Sequence, residues 1–454
     1  MSRRRTPRRR RGQPGIALLM VITAITILSL VVMEFSNSAR THMDQGINLR
    51  DEARATALAD TALIMTRACL DPATWGIAGA MMGSQDMERV CNLVLGIFTR
   101  GRVDVPGVGL SMELGGIQGI GISKGEIEEI KLTSEGSFLG LAGLRCPGGA
   151  AAPMTCGSRK LTANQLRSAL CDPSIADVFE DEQEDGKKYT REEVVANLVD
   201  WIDPDDNKIA VTNTWDFEAG VGENEDSYWK SHGADYKVKD AIFDSIEELR
   251  LIPGVNDKLY DFLSRRVSVF GSGASGKVDV NQVSAPVLSD LLWAAAPAGA
   301  VVEGATCGQQ EVAGLKTALK QVVSNYARMI TDAREILRNP ILNPQRLLAK
   351  AFKNAQAFMA VAKDPLKQIA ILDALGGQGS TDEIMLARYG MTVPIYTMMK
   401  EQLIDWSLVQ QMVDTKTQLY RLRAQATVGN ISRRIMAVLK RDGAKVHTLY
   451  YREE

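Results

Sequence analysis

The stretch Gly15-Ile16-Ala17-Leu18-Leu19-Met20-Val21-Ile22-Thr23-Ala24-Ile25-Thr26-Ile27-Leu28-Ser29-Leu30-Val31-Val32-Met33 decides how this chain is built. Residues 16–33 carry no charge. At about 1.5 Å rise per residue they span roughly 27 Å, enough for a bilayer core. Seven arginines (Arg3, Arg4, Arg5, Arg8, Arg9, Arg10, Arg11) precede them. Positive charge stays on the cytoplasmic side, so the bulk of the chain is expected across the membrane. Three readings compete. A secretory signal is cut after its apolar run, and Ser36-Asn37-Ser38-Ala39 offers small residues for that. A plain anchor is not cut. A leader removed on the basic side leaves the apolar run as the new N-terminus.

The residues downstream favour the last reading. Residues 34–70 contain no proline and one glycine, Gly46, and are rich in helix formers. Ala55, Leu58, Ala59, Ala62, Thr66 and Cys69 recur at helical spacing. Asp71-Pro72 is the first stop. The spacing predicts one helix of about 55 residues, on the order of 80 Å long. Its first third is apolar all round and the remainder is amphipathic, as in a span that continues into a folded domain.

The 454 residues leave room for two or three domains, and 45% apolar composition permits a sizeable core. The formal charge of −2 hides an asymmetry: beyond residue 15 there remain 46 basic and 55 acidic residues, a net of −9. Such a body is a poor partner for nucleic acid, whose phosphates need a basic face. Cys69, Cys91, Cys146, Cys156, Cys171 and Cys307 form no C-x-x-C and have no histidine close by in sequence, so zinc is not expected. An even count suits disulfides in an oxidising compartment. Cys146 and Cys156 bracket a Gly/Pro/Ala loop and are the first pair to expect; buried free thiols are the alternative.

Residues 101–160 are glycine-rich with short alternating runs, as in strands and loops. Thr190 with Glu193, and Ser245 with Glu248, read as capping boxes. Pro253-Gly254 turns the chain into a helix capped by Asn256, and Ala285-Pro286 opens another. Residues 310–410 hold further helical pattern, broken by Pro340, Pro344, Pro365 and Pro394. From Tyr420 the period changes to two, with turns at Gly429-Asn430 and Asp442-Gly443 between three strands.

The junction at Gly15 and Ile16 resembles the processing site of type IV pilins and pseudopilins. The resemblance implies that a prepilin peptidase cleaves after Gly15 and methylates Ile16. Most of that superfamily has glutamate as the fifth mature residue; here it is Met20. Lack of that carboxylate is the known exception of the K-type minor pseudopilin of type II secretion. Asn197-Leu198-Val199-Asp200-Trp201-Ile202-Asp203-Pro204-Asp205-Asp206 is similar to an acidic segment of that family. Ser245-Ile246-Glu247-Glu248-Leu249-Arg250-Leu251-Ile252-Pro253-Gly254-Val255 resembles its turn. Lys277-Val278-Asp279-Val280-Asn281, with Ala285-Pro286-Val287-Leu288, resembles the element that follows. The segment around 296–400 is longer than the family leads one to expect.

The expected fold class is α+β: a long N-terminal transmembrane helix packed on an antiparallel sheet, interrupted by a large mainly helical insertion. The expected divisions are a leader at 1–15, the spanning part at 16–33, a first α/β part at 34–160, an inserted helical domain at 161–295, an additional helical segment at 296–410, and the last strands at 411–454. Residues 172–244 hold 21 acidic and 7 basic residues. Asp200, Asp203, Asp205, Asp206, Glu223, Glu225 and Asp226 are the candidate ligands for a hard cation, Ca²⁺ first. Their spacing is not that of an EF-hand, and a solvated acidic loop is the alternative; homologues of the K type bind calcium here. Ile252-Pro253-Gly254-Val255 is similar to a helix-hairpin-helix turn, but its acidic surroundings and missing second glycine make it structural.

Catalysis finds little support. His42, His232 and His447 are scattered, and no nucleophile or phosphate-loop motif occurs. The resulting expectation is a structural, non-enzymatic subunit at the tip of a periplasmic pseudopilus, initiating assembly and supporting export of folded proteins. Its expected partners are the I- and J-type minor pseudopilins, other pseudopilus subunits, the prepilin peptidase, the inner-membrane assembly platform and secreted cargo. It is expected to be single-pass in the bacterial inner membrane, N-terminus cytoplasmic. A minor pilin of a type IV pilus or DNA-uptake machine, and a signal-anchored periplasmic enzyme, are the alternatives.

Overall fold

A computed structural model describes residues 14–71, 86–100, 102–105, 110–113, 125–148, 154–212, 215–270, 277–296, 319–339, 342, 348–375, 379–443 and 445–453. The first helix, α1, is Pro14–Leu70, 57 residues without a break. Its apolar start is exposed on all sides, from Ile16 to Phe35, whereas Ala55, Leu58, Ala59, Ala62, Thr66, Cys69 and Leu70 are buried. The stripe read from the sequence is therefore the face that packs. Helix α2, Met87–Arg100, follows, then strand β1, Gly125–Ser134. The chain next enters a large body and emerges as strands β2, Leu419–Val428, β3, Ile431–Asp442, and β4, Lys445–Glu453.

These four strands form one antiparallel sheet in the order β4-β3-β2-β1. Tyr420 pairs with Ser134 and Leu422 with Leu132 across β2 and β1. Turns at Gly429 and Gly443, both at positive φ, join the last three strands, where glycine adopts the left-handed backbone without strain. Ile127, Leu132, Leu422, Ala424, Ala426, Ile435 and Ala437 bury against α1 and α2 in one apolar cluster. A disulfide between Cys69 and Cys91, with Cα atoms 5.7 Å apart, fastens the end of α1 to α2.

Helix α2 also closes one edge of the sheet. The Asn92 amide nitrogen donates to the Leu132 carbonyl at 2.8 Å, and the Leu132 N–H donates to the Asn92 amide oxygen at 2.8 Å. The Ser134 N–H donates to Glu88 Oε2 at 2.7 Å. Side chains thus supply the partners that a further strand would have offered.

The body between β1 and β2 is mainly helical. Its principal helices are α3, Gly157–Leu170, α4, Arg191–Ile202, α5, Asp257–Leu263, α6, Ala285–Ala294, and α7, Leu319–Leu337. Five shorter helices follow between Ala355 and Met412. The expected boundaries at 161 and 296 do not divide the packing. A single apolar cluster runs from Leu139 through Leu166, Leu198, Leu259, Leu291, Tyr326 and Phe358 to Val413. Helix α7 lies against α6, so the expected additional segment completes the core of the expected inserted domain rather than adding a second one. Two short parallel pairings hold the body together: Leu139–Gly140 with Val267–Ser268, and Val278–Asp279 with Val413–Asp414.

Candidate functional site

The acidic segment begins on α4. Its N-terminus is a capping box: the Glu193 N–H donates to Thr190 Oγ1 at 3.1 Å, and the Thr190 N–H donates to Glu193 Oε2 at 2.7 Å. The helix ends at Ile202, so Asp203, Pro204, Asp205 and Asp206 form the loop into a hairpin of Asn207–Val211 and Phe217–Asn224. A short helix, Glu225–Ser231, brings Glu225 back toward this loop: the Glu225 N–H donates to the Asp206 carbonyl at 3.3 Å.

Within this frame the carboxylates divide. Asp200 is fully buried and internally satisfied. It accepts the Lys208 ammonium and, at 2.9 Å, the Ile209 N–H. Lys208 also donates to Asn197 Oδ1 at 3.1 Å and lies over the Tyr228 ring. Burial lifts the Asp200 carboxyl to about 6, less than it would without Lys208. Asp200, expected among the ligands, is an ion-pair partner; the competing cation was its near neighbour in sequence.

Asp203 accepts Arg159 Nη2 at 3.2 Å through Oδ2, while its buried Oδ1 has no partner. Arg159 is itself buried and donates to the carbonyls of Leu144 at 2.7 Å and Met154 at 2.6 Å. Burial raises the Asp203 carboxyl to about 7 against the pull of Arg159. Both carboxylate oxygens of Glu225 are buried without a partner, and burial, then Asp200, Asp203, Asp240 and Asp205, push it up to about 10. Asp240 has φ +53, unusual for a non-glycine residue, and its Oδ1 is buried and unpartnered. Burial, then Asp206, Asp226 and Asp205, raise its carboxyl.

The remaining candidates lie around this group. Asp205 Oδ1 accepts the Asn207 N–H at 3.0 Å, and Asp226 Oδ1 accepts the Val238 N–H at 3.3 Å. Asp206 takes part through its backbone carbonyl, and the Glu223 side chain lies outside the described residues. Asp240 was missed by sequence reading because it stands apart from the Asp200–Asp206 run, and nothing local announces its backbone. Among the described residues, no three or more carboxylates are gathered as a ready ligand set. The orphaned oxygens of Asp203, Glu225 and Asp240 are nonetheless hard donors whose charge must be neutralised by protons or by a cation that draws them together, since as placed they do not form a Ca²⁺ site.

The turn at Pro253-Gly254 is structural. The Asn197 amide donates to the Pro253 carbonyl at 2.9 Å and the Gln183 amide to the Gly254 carbonyl at 3.0 Å. A Cβ on Gly254, φ +89, would lie 2.9 Å from the Tyr189 ring. Cys146 and Cys156 are joined with Cα atoms 5.8 Å apart, and Cys171 is also disulfide-bonded.

The other functional element is α1. An 18-residue window of it has mean hydropathy 2.8 and no buried residue. Gly15, Ile16 and Met20 lie on its first turns, and Ile16 and Met20 are exposed. Residues 1–13 lie outside the described residues.

Residues 182–272, which hold the acidic cluster and the turn, match the family model described as type II secretion system protein K. The match covers residues 182–272, and the likeness to that family is shown for this stretch. One helix among the described residues, Gly15–Leu70, is long and apolar enough to cross a membrane. The chain is also similar to a chain in the crystal structure of the GspK-GspI-GspJ complex from the enterotoxigenic Escherichia coli type 2 secretion system, at 16% identity and TM-score 0.41, covering 92% of this chain and 99% of that one. No curated protein matches the chain.

Proposed function

We propose that this chain is a K-type minor pseudopilin that caps the tip of a type II secretion pseudopilus, initiates its assembly, supports export of folded proteins and has no catalytic role. The observation that carries the reading is Met20. After cleavage behind Gly15 it would be the fifth residue of a helix exposed on every side, where the superfamily has a carboxylate to meet a neighbour's amine. Without that carboxylate the subunit has no need of a neighbour's amine beside it in lipid. The broad body inserted between β1 and β2 supports the same position, because it would obstruct a further subunit stacked above.

The arginines before Gly15 support a cytoplasmic N-terminus and a periplasmic body at the inner membrane. Helix insertion into a bundle would be driven by packing in lipid. The proposed partners are I- and J-type minor pseudopilins, as in the complex named above, together with the prepilin peptidase and the assembly platform. Asp203, Glu225 and Asp240, with Asp205 and Asp206, would hold Ca²⁺, which would supply the charge that the buried oxygens lack. Lys208 would keep Asp200 turned inward, and Arg159 would hold Oδ2 of Asp203 while Oδ1 stays available.

Mass spectrometry of the mature chain tests the reading. A methylated Ile16 N-terminus is expected; a start near residue 39, or an intact Met1, overturns it. Co-purification with I- and J-type pseudopilins, with and without chelator, tests the partners.

A further inference from the structure

A cleft of about 340 Å³ lies between residues 183–189, 232–236 and 250–257, at the lower end of the roughly 300–1,000 Å³ typical of ligand pockets. It belongs neither to the carboxylate group above nor to α1. The rings of Tyr189, His232 and Tyr236 line it, with the Tyr189 and His232 centroids 5.7 Å apart. Both tyrosine hydroxyls already donate inward, Tyr189 to Asp185 and Tyr236 to the Leu251 carbonyl at 2.6 Å. Tyr189 is buried, so the aromatic surface offered is that of His232 and Tyr236, with both tyrosine hydroxyls committed.

Three carboxylates, Glu184, Asp185 and Asp257, line the same cleft. Its one lining cation, Arg250, is paired with Asp257 and lies 3.9 Å over the Tyr260 ring. An anion would meet net negative charge and an arginine already paired with Asp257. A cation on an apolar stem meets what it needs: ring surface for the stem and head, carboxylates for the charge. The surrounding segment, with 21 acidic and 7 basic residues, adds a field that draws a basic partner.

We propose that this cleft docks one arginine or lysine side chain carried on an extended segment of a partner protein. Recognition is by charge and aromatic contact. The proposal does not depend on a position at the tip, nor on calcium.

The test uses the full chain in detergent and saturation-transfer NMR with acetyl-Gly-Arg-Gly-amide, acetyl-Gly-Gln-Gly-amide and spermidine as probes. Saturable binding of the arginine peptide is expected, about tenfold tighter than the glutamine peptide. Added salt and Tyr236→Leu should weaken it severalfold, as should Glu184→Gln, an exposed site whose change leaves the fold alone. Equal binding of the two peptides, no binding, or binding indifferent to Glu184→Gln overturns the proposal. Spermidine binding as tightly as the peptide, with the same dependence on Glu184, overturns the protein segment as occupant.

Discussion

Arg421 of β2 and Glu135, just past the end of β1, form a buried ion pair between residues 286 positions apart in sequence, with Arg421 Nη2 donating to Glu135 Oε2 at 3.1 Å. The guanidinium also lies 4.6 Å over the Phe138 ring. The pair sits where the chain leaves the sheet for the body and where it returns. Removing one member leaves the other charged and buried. Arg421→Ala is expected to cost about 3–5 kcal/mol, whereas a double change to apolar residues of similar size should cost far less. Urea unfolding of the two variants checks this.

The disulfide between Cys69 and Cys91 closes a loop with a sequence separation of 22. Replacing both cysteines with alanine should lower stability by about 3 kcal/mol, chiefly by freeing the unfolded chain. Because α2 also covers the edge of β1, hydrogen exchange should rise at Leu132 and Ser134 before it rises in β2.

Leu58 is buried on the face of α1 that meets the sheet. Leu58→Ala should cost about 2–5 kcal/mol. Leu28→Ala, in the exposed apolar run, should leave unfolding of the body unchanged and weaken membrane retention instead. Unfolding and membrane fractionation of both variants separate the two halves of the rod.

Glu225 supplies a pH dependence whose sign is the reverse of an ordinary surface carboxylate. Its folded value, about 10, lies above its usual 4.5. Between those values the folded chain holds a proton that the unfolded chain has released, so stability falls as pH rises. Without divalent cations, the unfolding midpoint should drop from about pH 5 to about pH 8, and Glu225→Gln should flatten that slope.

Calcium, if held by Asp203, Glu225 and Asp240, should raise the unfolding midpoint and release protons on binding. The gain at saturating calcium should disappear in Asp203→Asn and Asp240→Asn. Asp200→Asn should destabilise the chain with calcium and without it, since its partner is Lys208. Isothermal calorimetry in two buffers of different ionisation heat reads the proton release.

The rod, its buried stripe and the terminal strands were legible because each rests on local period. Helical spacing placed Ala55, Leu58 and Ala62 on one face, and alternation from Tyr420 gave the last hairpins. The capping box at Thr190 was legible for the same reason. What escaped depends on distant pairing. Nothing near Asn92 says that its amide will serve as the edge of a sheet, and six cysteines do not choose Cys69 with Cys91. The unity of the body was hidden because α7 must be seen against α6 before residues 319–413 read as part of one core. In the acidic cluster, composition marked the loop that carries Asp203 and its orphaned oxygen, but the roles of its members were set by Lys208 and Arg159, which claimed Asp200 and half of Asp203.

The sheet that covers α1 is drawn from residues 125–134 and 419–453. Three of its four strands are thus synthesised after the body. Until they arrive, Ala55, Leu58 and Ala62 have only α2 and one strand to lie against, while the body can already be whole. A chain halted before residue 419 would hang from the bilayer by a greasy stalk with a bare, adhesive flank. Synthesis of the final hairpins is the step that turns this half-dressed intermediate into a subunit fit to meet its neighbours.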